Sequence, residues 1–136
     1  MELETLIEKL KSYNWSPEQV QLAIRAKCRC EYCGKNMLES VDNYKLWQVD
    51  HIIPRSSRYE DCDNINNKAI TCTQCNKDLK SRWNPASQLG YGKSRDEYIK
   101  ATKDYITNKR LEKETELEKI RELYNTYFFE KEKHYE

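Results

Sequence analysis

Apolar residues recur at helical spacing near both ends of the chain and in extended runs through the middle. Leu3, Leu6, Ile7 and Leu10 predict a short amphipathic helix over residues 2–12, whose apolar face needs a cover. Ser16-Pro17-Glu18-Gln19 predicts a second start, with Ser16 as N-cap, Pro17 in the first turn and Gln19 completing a capping box. Behind it, Val20, Ala23, Ile24 and Lys27 share one face, and the two helices are expected to pack together as a support. Met37 to Tyr44, turning at Asp42-Asn43, leads into a bulky run of Leu46, Trp47, Val49, Ile52 and Ile53 that suits a strand ended by Pro54. A polar loop follows, then a short apolar piece at Ala69-Ile70, then a basic helical segment opened by Cys75-Asn76. The predicted order in the middle is therefore strand, loop, strand, helix.

Pro85 cannot continue that helix and restricts Asn84, and residues 86–93, with Gly90 and Gly92, read as a linker. Ser94-Arg95-Asp96-Glu97 is another capping box. Beyond it Tyr98, Thr102, Tyr105 and Ile106, and later Leu117, Ile120, Tyr124, Tyr127 and Phe128, keep helical spacing around a charged stretch at 108–116. Two helices, or one helix with an exposed middle, fit equally. The ends of this tail are expected to fold against the first helices, or else to form a homodimer or protein-partner interface.

Length and composition bound the fold. With 136 residues and 38% hydrophobic content, the chain can build one small α+β domain with a modest core. Its parts are an N-terminal helical support (1–27), a central module (28–85), the linker (86–93) and a helical C-terminal extension (94–136). Charges nearly cancel, 24 basic against 23 acidic, yet residues 16–93 hold 12 basic and 9 acidic side chains, so the excess surrounds the central module. Such a surplus can accept a phosphate backbone locally but gives no tight grip on long DNA. No window is apolar for long enough to span a bilayer, and Met-Glu-Leu-Glu-Thr at the start lacks the marks of a secretory leader; the expected setting is the cytoplasm, away from membranes.

Six cysteines in that setting point to metal ligation before disulfides. Cys30-x-x-Cys33 pairs with Cys72-x-x-Cys75 as two knuckles, a set that predicts a closed tetrahedral site for structural Zn²⁺. Trp47 is expected to pack against this lobe. Cys28 competes with Cys30 as a ligand but fits the spacing less well, and Cys62 reads as an ordinary thiol.

The chemistry centres on Asp50-His51. The Asp50 carboxylate and the Asn76 amide are hard oxygen donors, and two such groups with waters and phosphate oxygens are a common way to hold Mg²⁺, or Mn²⁺. His51 is then available as a base, imidazole being the side chain that titrates near neutral pH. A lone histidine in a strand is usually structural. An adjoining acid, together with a knuckle ending in Asn, favours the catalytic reading: a metal for the leaving oxygen and a base for water are what phosphodiester hydrolysis needs. Arg55 and Arg58 after His51, and Lys77, Lys80 and Arg82 after Asn76, are candidate phosphate contacts on DNA.

Asp50-His51-Ile52-Ile53-Pro54-Arg55-Ser56, followed by Asn67-Lys68-Ala69-Ile70-Thr71-Cys72-Thr73-Gln74-Cys75-Asn76-Lys77, resembles the HNH endonuclease motif in its ββα-metal fold. The resemblance covers about residues 28–82. It implies that His51 is the general base, that Asp50 and Asn76 hold the catalytic divalent ion, that Asn67 ties down the loop so that His51 points correctly, and that the products carry 5′-phosphate and 3′-hydroxyl ends. Asp50 and Asn76 stand where some members have histidine, which favours an oxygen-loving ion. The expected function is metal-dependent DNA cleavage, with small size and near-neutral charge also suiting the nuclease subunit of a restriction or phage-defence assembly. The alternative is a non-catalytic zinc module that binds nucleic acid or protein.

Overall fold

The computed structural model describes residues 1–134, so the last two residues of the 94–136 extension lie outside the described residues. Its architecture is small α+β: a two-stranded antiparallel sheet enclosed by helices.

Two helices open the chain, α1 (Leu3–Lys11) and α2 (Pro17–Ala26). The predicted capping box forms in full: Ser16 Oγ accepts from the Gln19 amide at 3.1 Å, and Gln19 Oε1 accepts from the Ser16 amide at 2.7 Å. The buried face of α2 is Val20, Leu22 and Ala23, whereas Ile24 is 52% exposed. The predicted face therefore misses Leu22 and wrongly includes Ile24, because spacing along α2 does not say which side meets β2. At Asp42-Asn43 there is a short helix, α3 (Val41–Lys45), in place of the expected turn; Ser40 Oγ caps it by accepting from the Asn43 amide at 3.0 Å.

Strands β1 (Trp47–His51) and β2 (Lys68–Cys72) pair from Trp47↔Cys72 to His51↔Lys68. A two-stranded sheet leaves two open edges, and here one edge of β2 is capped by a single residue. Glu31 donates its amide to the Ile70 carbonyl at 2.8 Å and accepts the Ile70 amide on Oε2 at 3.0 Å. Arg25 and Arg95 both donate to the Lys68 carbonyl, and Arg95 pairs with Glu31 at 2.8 Å. Below this lies the core, with Leu22, Met37, Ile52, Ile53 and Ile70 fully buried. Trp47 sits opposite Cys72 in the register, but its ring packs at 4.4 Å edge-on against Trp15 and faces Tyr44. Trp47 also packs against the buried cluster that includes Cys30, Cys72 and Cys75.

After β2 the chain forms a π-helix over Gln74–Lys80, closed by a Ser81 amide to Asn76 carbonyl bond of 2.9 Å. The segment read as a linker contains the one-turn helix α4 (Ala86–Leu89). Ser94 and Glu97 then cap α5 (Arg95–His134), which is a single continuous helix, so the charged stretch at 108–116 does not break it. Tyr98, Thr102 and Ile106 bury the start of α5 against the π-helix, where Trp83 stacks on Tyr105 at 4.2 Å. That contact replaces the expected packing against the first helices, and residues 111–132 are exposed throughout.

Candidate active site

Four sulfurs form the base of the site. One ligand atom each from Cys30, Cys33, Cys72 and Cys75 lies within 4.8 Å of the others, with Cys33 and Cys72 at 3.8 Å. Gly34 at φ +83° makes the first knuckle possible, in a backbone region that disfavours a side chain, and its amide bonds the Cys30 carbonyl at 2.8 Å. The second knuckle points the Cys75 amide at Cys72 Sγ, 3.5 Å away, and Arg110 of α5 reaches Cys75 Sγ at 3.7 Å. Hydrogen bonds among the four sulfurs lower Cys33, to about 6 through Cys30 first, and Cys72, also through Cys30 first, while raising Cys30 and Cys75. An all-thiolate set of this size fits Zn²⁺. Cys28 lies outside the cluster, buried at the end of α2, which removes it as a competing ligand.

Above this base, β1 and the π-helix face each other across an open cleft of about 490 Å³. Asp50, His51, Arg55, Asn76, Lys80 and Arg82 line it. Asp50 is buried, and its Oδ2 accepts from the Tyr32 hydroxyl at 2.7 Å and lies 3.1 Å from Lys80 Nζ. Burial raises the Asp50 carboxyl despite the opposing pull of Lys80, and it holds the Tyr32 hydroxyl protonated as a donor. Both contacts use Oδ2, which leaves Oδ1 for a cation. Asn76 donates Nδ2 to Gln48 Oε1 at 2.9 Å, so its own Oδ1 remains an acceptor. Gln48 and Asp50 share one face of β1 by alternation, and Asp50 and Asn76 line the same cleft. Two hard oxygens at one cleft wall fit a small divalent ion.

Lys80 departs from its expected role as a phosphate contact. Its side chain is 0% exposed, and its Nζ lies 3.1 Å from Asp50 and donates to the His51 carbonyl at 3.2 Å. A buried carboxylate needs a compensating charge, and Lys80 supplies it from within the fold. Burial lowers the Lys80 ammonium, opposed first by Asp50. Lys80→Met is therefore expected to cost about 3 kcal/mol in urea denaturation, since it strands a buried charge; a loss within about 0.5 kcal/mol would instead suit a surface lysine. Arg55 and Arg82 are exposed on the cleft, while Arg58 and Lys77 are exposed outside its lining.

Asn67 spends its whole amide on the loop between the strands. Its Oδ1 accepts the Ile53 amide at 2.9 Å, and its Nδ2 donates to the carbonyls of Ile53 at 3.0 Å and Cys62 at 2.9 Å. This draws together the loop ends next to His51. The consequence is a contact the sequence reading missed: His51 Nε2 lies 3.1 Å from Asp63 Oδ1, which Arg55 also holds at 3.0 Å. Hydrogen bonds from His51 and then Arg55 keep the Asp63 carboxyl below the ordinary range. Asp63 sits in an irregular loop twelve residues beyond His51, where no periodicity marks it and Glu60 and Asp61 stand close by, so nothing in the sequence singles it out. Cys62, beside it, buries its thiol toward the Ile53 carbonyl at 3.7 Å.

Residues 30–82 match the family model for HNH endonuclease, a span that holds both knuckles, the hairpin and the π-helix. The match indicates nuclease-type activity in general. No curated protein is significantly similar to the chain. Among the described residues, no helix is long and apolar enough to cross a membrane.

Proposed function

We propose that the protein hydrolyses DNA phosphodiester bonds in a divalent-metal-dependent reaction, a reading supported by the match of residues 30–82 to the HNH endonuclease model. The observation that carries this reading is the convergence of Asp50, His51 and Asn76 on one open cleft. A carboxylate can only accept a hydrogen bond, so Asp63 selects the neutral tautomer of His51 with hydrogen on Nε2, leaving Nδ1 as the base. His51 Nδ1 takes a proton from water, the oxygen attacks phosphorus in line, and the bond from phosphorus to the 3′-oxygen breaks. Asp50 and Asn76 would hold Mg²⁺ or Mn²⁺, which supplies positive charge for the leaving oxygen when bound. Arg55 and Arg82 lie where the phosphate backbone enters, with Arg58 and Lys77 as outer contacts. Asn67 keeps the loop, and with it Asp63, in register with His51.

Zinc in the four-cysteine site holds the frame and takes no part in the chemistry, a role suited to the reducing cytoplasm. The small domain and near-neutral charge suit a nuclease subunit of a restriction or phage-defence assembly. Supercoiled plasmid should become nicked or linear with Mg²⁺ and stay intact with EDTA, with 5′-phosphate and 3′-hydroxyl ends on the products. Equal conversion in EDTA would overturn the reading.

Asp63 acts here as a positioning residue. Asp63→Asn is expected to lower the cleavage rate roughly 10- to 100-fold, as loss of an orienting partner does, and to change the pH–rate profile because His51 loses its tautomer preference. Asp63→Glu should recover part of the rate. An unchanged pH profile and rate in Asp63→Asn would rule the role out.

A further inference from the structure

We propose that the exposed half of α5 pairs with the same segment of a second copy of this chain, as a parallel two-stranded coiled coil. Residues 111–132 would extend roughly 33 Å at the helical rise, and every residue in that span is exposed. Along it Leu117, Ile120, Tyr124 and Tyr127 recur at alternating spacings of three and four, the a and d positions of a heptad seam. Leu123 and Phe128 flank that seam, and these six side chains are 44% to 74% exposed. Six large apolar side chains from each of two helices bury roughly 1,200 Å², the low end for a specific interface.

Charge decides both the occupant and the direction. With Leu117 and Tyr124 at a, the flanking g and e positions bring Glu116 beside the partner's Arg121 and Leu123 beside the partner's Phe128. Each pair is opposite in charge or apolar on both sides. Running the second helix the other way, with Leu117 facing the partner's Tyr127, sets Glu116 near the partner's Glu130 and Arg121 near the partner's Arg121. Those are like charges, which disfavour the antiparallel arrangement. The seam is short, since Arg110 and Lys113 bound it on one side and Lys131 on the other, so the dimer forms in the micromolar range. Arg110, bonded to Cys75, and the buried Tyr98, Thr102 and Ile106 fix the rod to the nuclease core. A parallel pair therefore places both cores at one end.

Sedimentation equilibrium of the full chain with zinc should show twice the 16.4 kDa chain mass as protein rises toward about 100 μM. Ile120→Asp should remain monomeric across that range with its zinc content unchanged. Glu116→Lys should weaken the dimer about fivefold or more by setting like charges together. Glu116→Lys with Arg121→Glu should restore it. A monomer at every concentration, a dimer indifferent to Ile120→Asp, or a dimer tightened by Glu116→Lys, as an antiparallel pair requires, would each overturn the proposal. Mass is read without DNA, so a dimer that fails to cut plasmid would count against the nuclease reading and leave the pairing intact.

Discussion

Cys75→Ser is expected to leave a chain that no longer unfolds cooperatively. Structural zinc contributes about 10 kcal/mol or more in small domains, while the net stability of a whole domain is only about 5–15 kcal/mol. The dependence is severe here because the sulfurs belong to the core itself: Cys30, Cys72 and Cys75 are buried in the same cluster as Met37, Ile70 and Leu79. Cys72 ends β2, Cys75 sits in the first turn of the π-helix, and Arg110 ties α5 to the Cys75 sulfur. Losing one ligand therefore loosens the sheet, the segment that carries Asn76 and Lys80, and the long helix together. Zinc analysis should find one ion per chain in the parent protein, and circular dichroism should show its melting transition lost in Cys75→Ser. A variant that melts cooperatively within a few degrees of the parent would mean that the core stands without the ion.

Local chemistry was legible in the sequence, and geometry set by packing was not. The capping boxes at Ser16 and Ser94 could be read because every partner lies within four residues. The two knuckles could be read because thiolate spacing is itself a constraint on metal geometry. The strand, loop, strand, helix order followed from where bulky residues give way to Pro, Asn and Asp. Ile24 and Leu22 traded places because helical periodicity gives a face width and not its direction. Lys80 was misplaced for a related reason: a lysine two residues before an arginine reads as a basic surface, and only the fold turns its stem inward to Asp50. Asp63 escaped because its partner lies across a loop held by Asn67. One helix or two through 108–116 stayed open in sequence; α5 runs unbroken through that charged stretch on its own pairs, such as Lys109 with Glu112 at 3.4 Å and Lys113 with Glu116 at 3.6 Å.

His51→Ala is expected to lose the cleavage activity while keeping the fold. General-base catalysis by a positioned side chain is worth about 10²–10⁴-fold in rate. Deleting the imidazole also strands the Asp63 carboxylate, whose remaining partner is Arg55. The stability cost should be small, because His51 is only half-buried at the end of β1 and its backbone carbonyl still receives Lys80. Zinc content and melting temperature should therefore match the parent, which separates this variant from Cys75→Ser. Of the other polar side chains at the cleft, Asp50 and Lys80 are engaged with each other, and Asp50 also with Tyr32. The most direct measurement is the single-turnover rate of supercoiled plasmid cleavage in Mg²⁺ by parent and His51→Ala proteins of equal zinc content. The account predicts a rate at least about 100-fold lower in the variant; equal rates would contradict it.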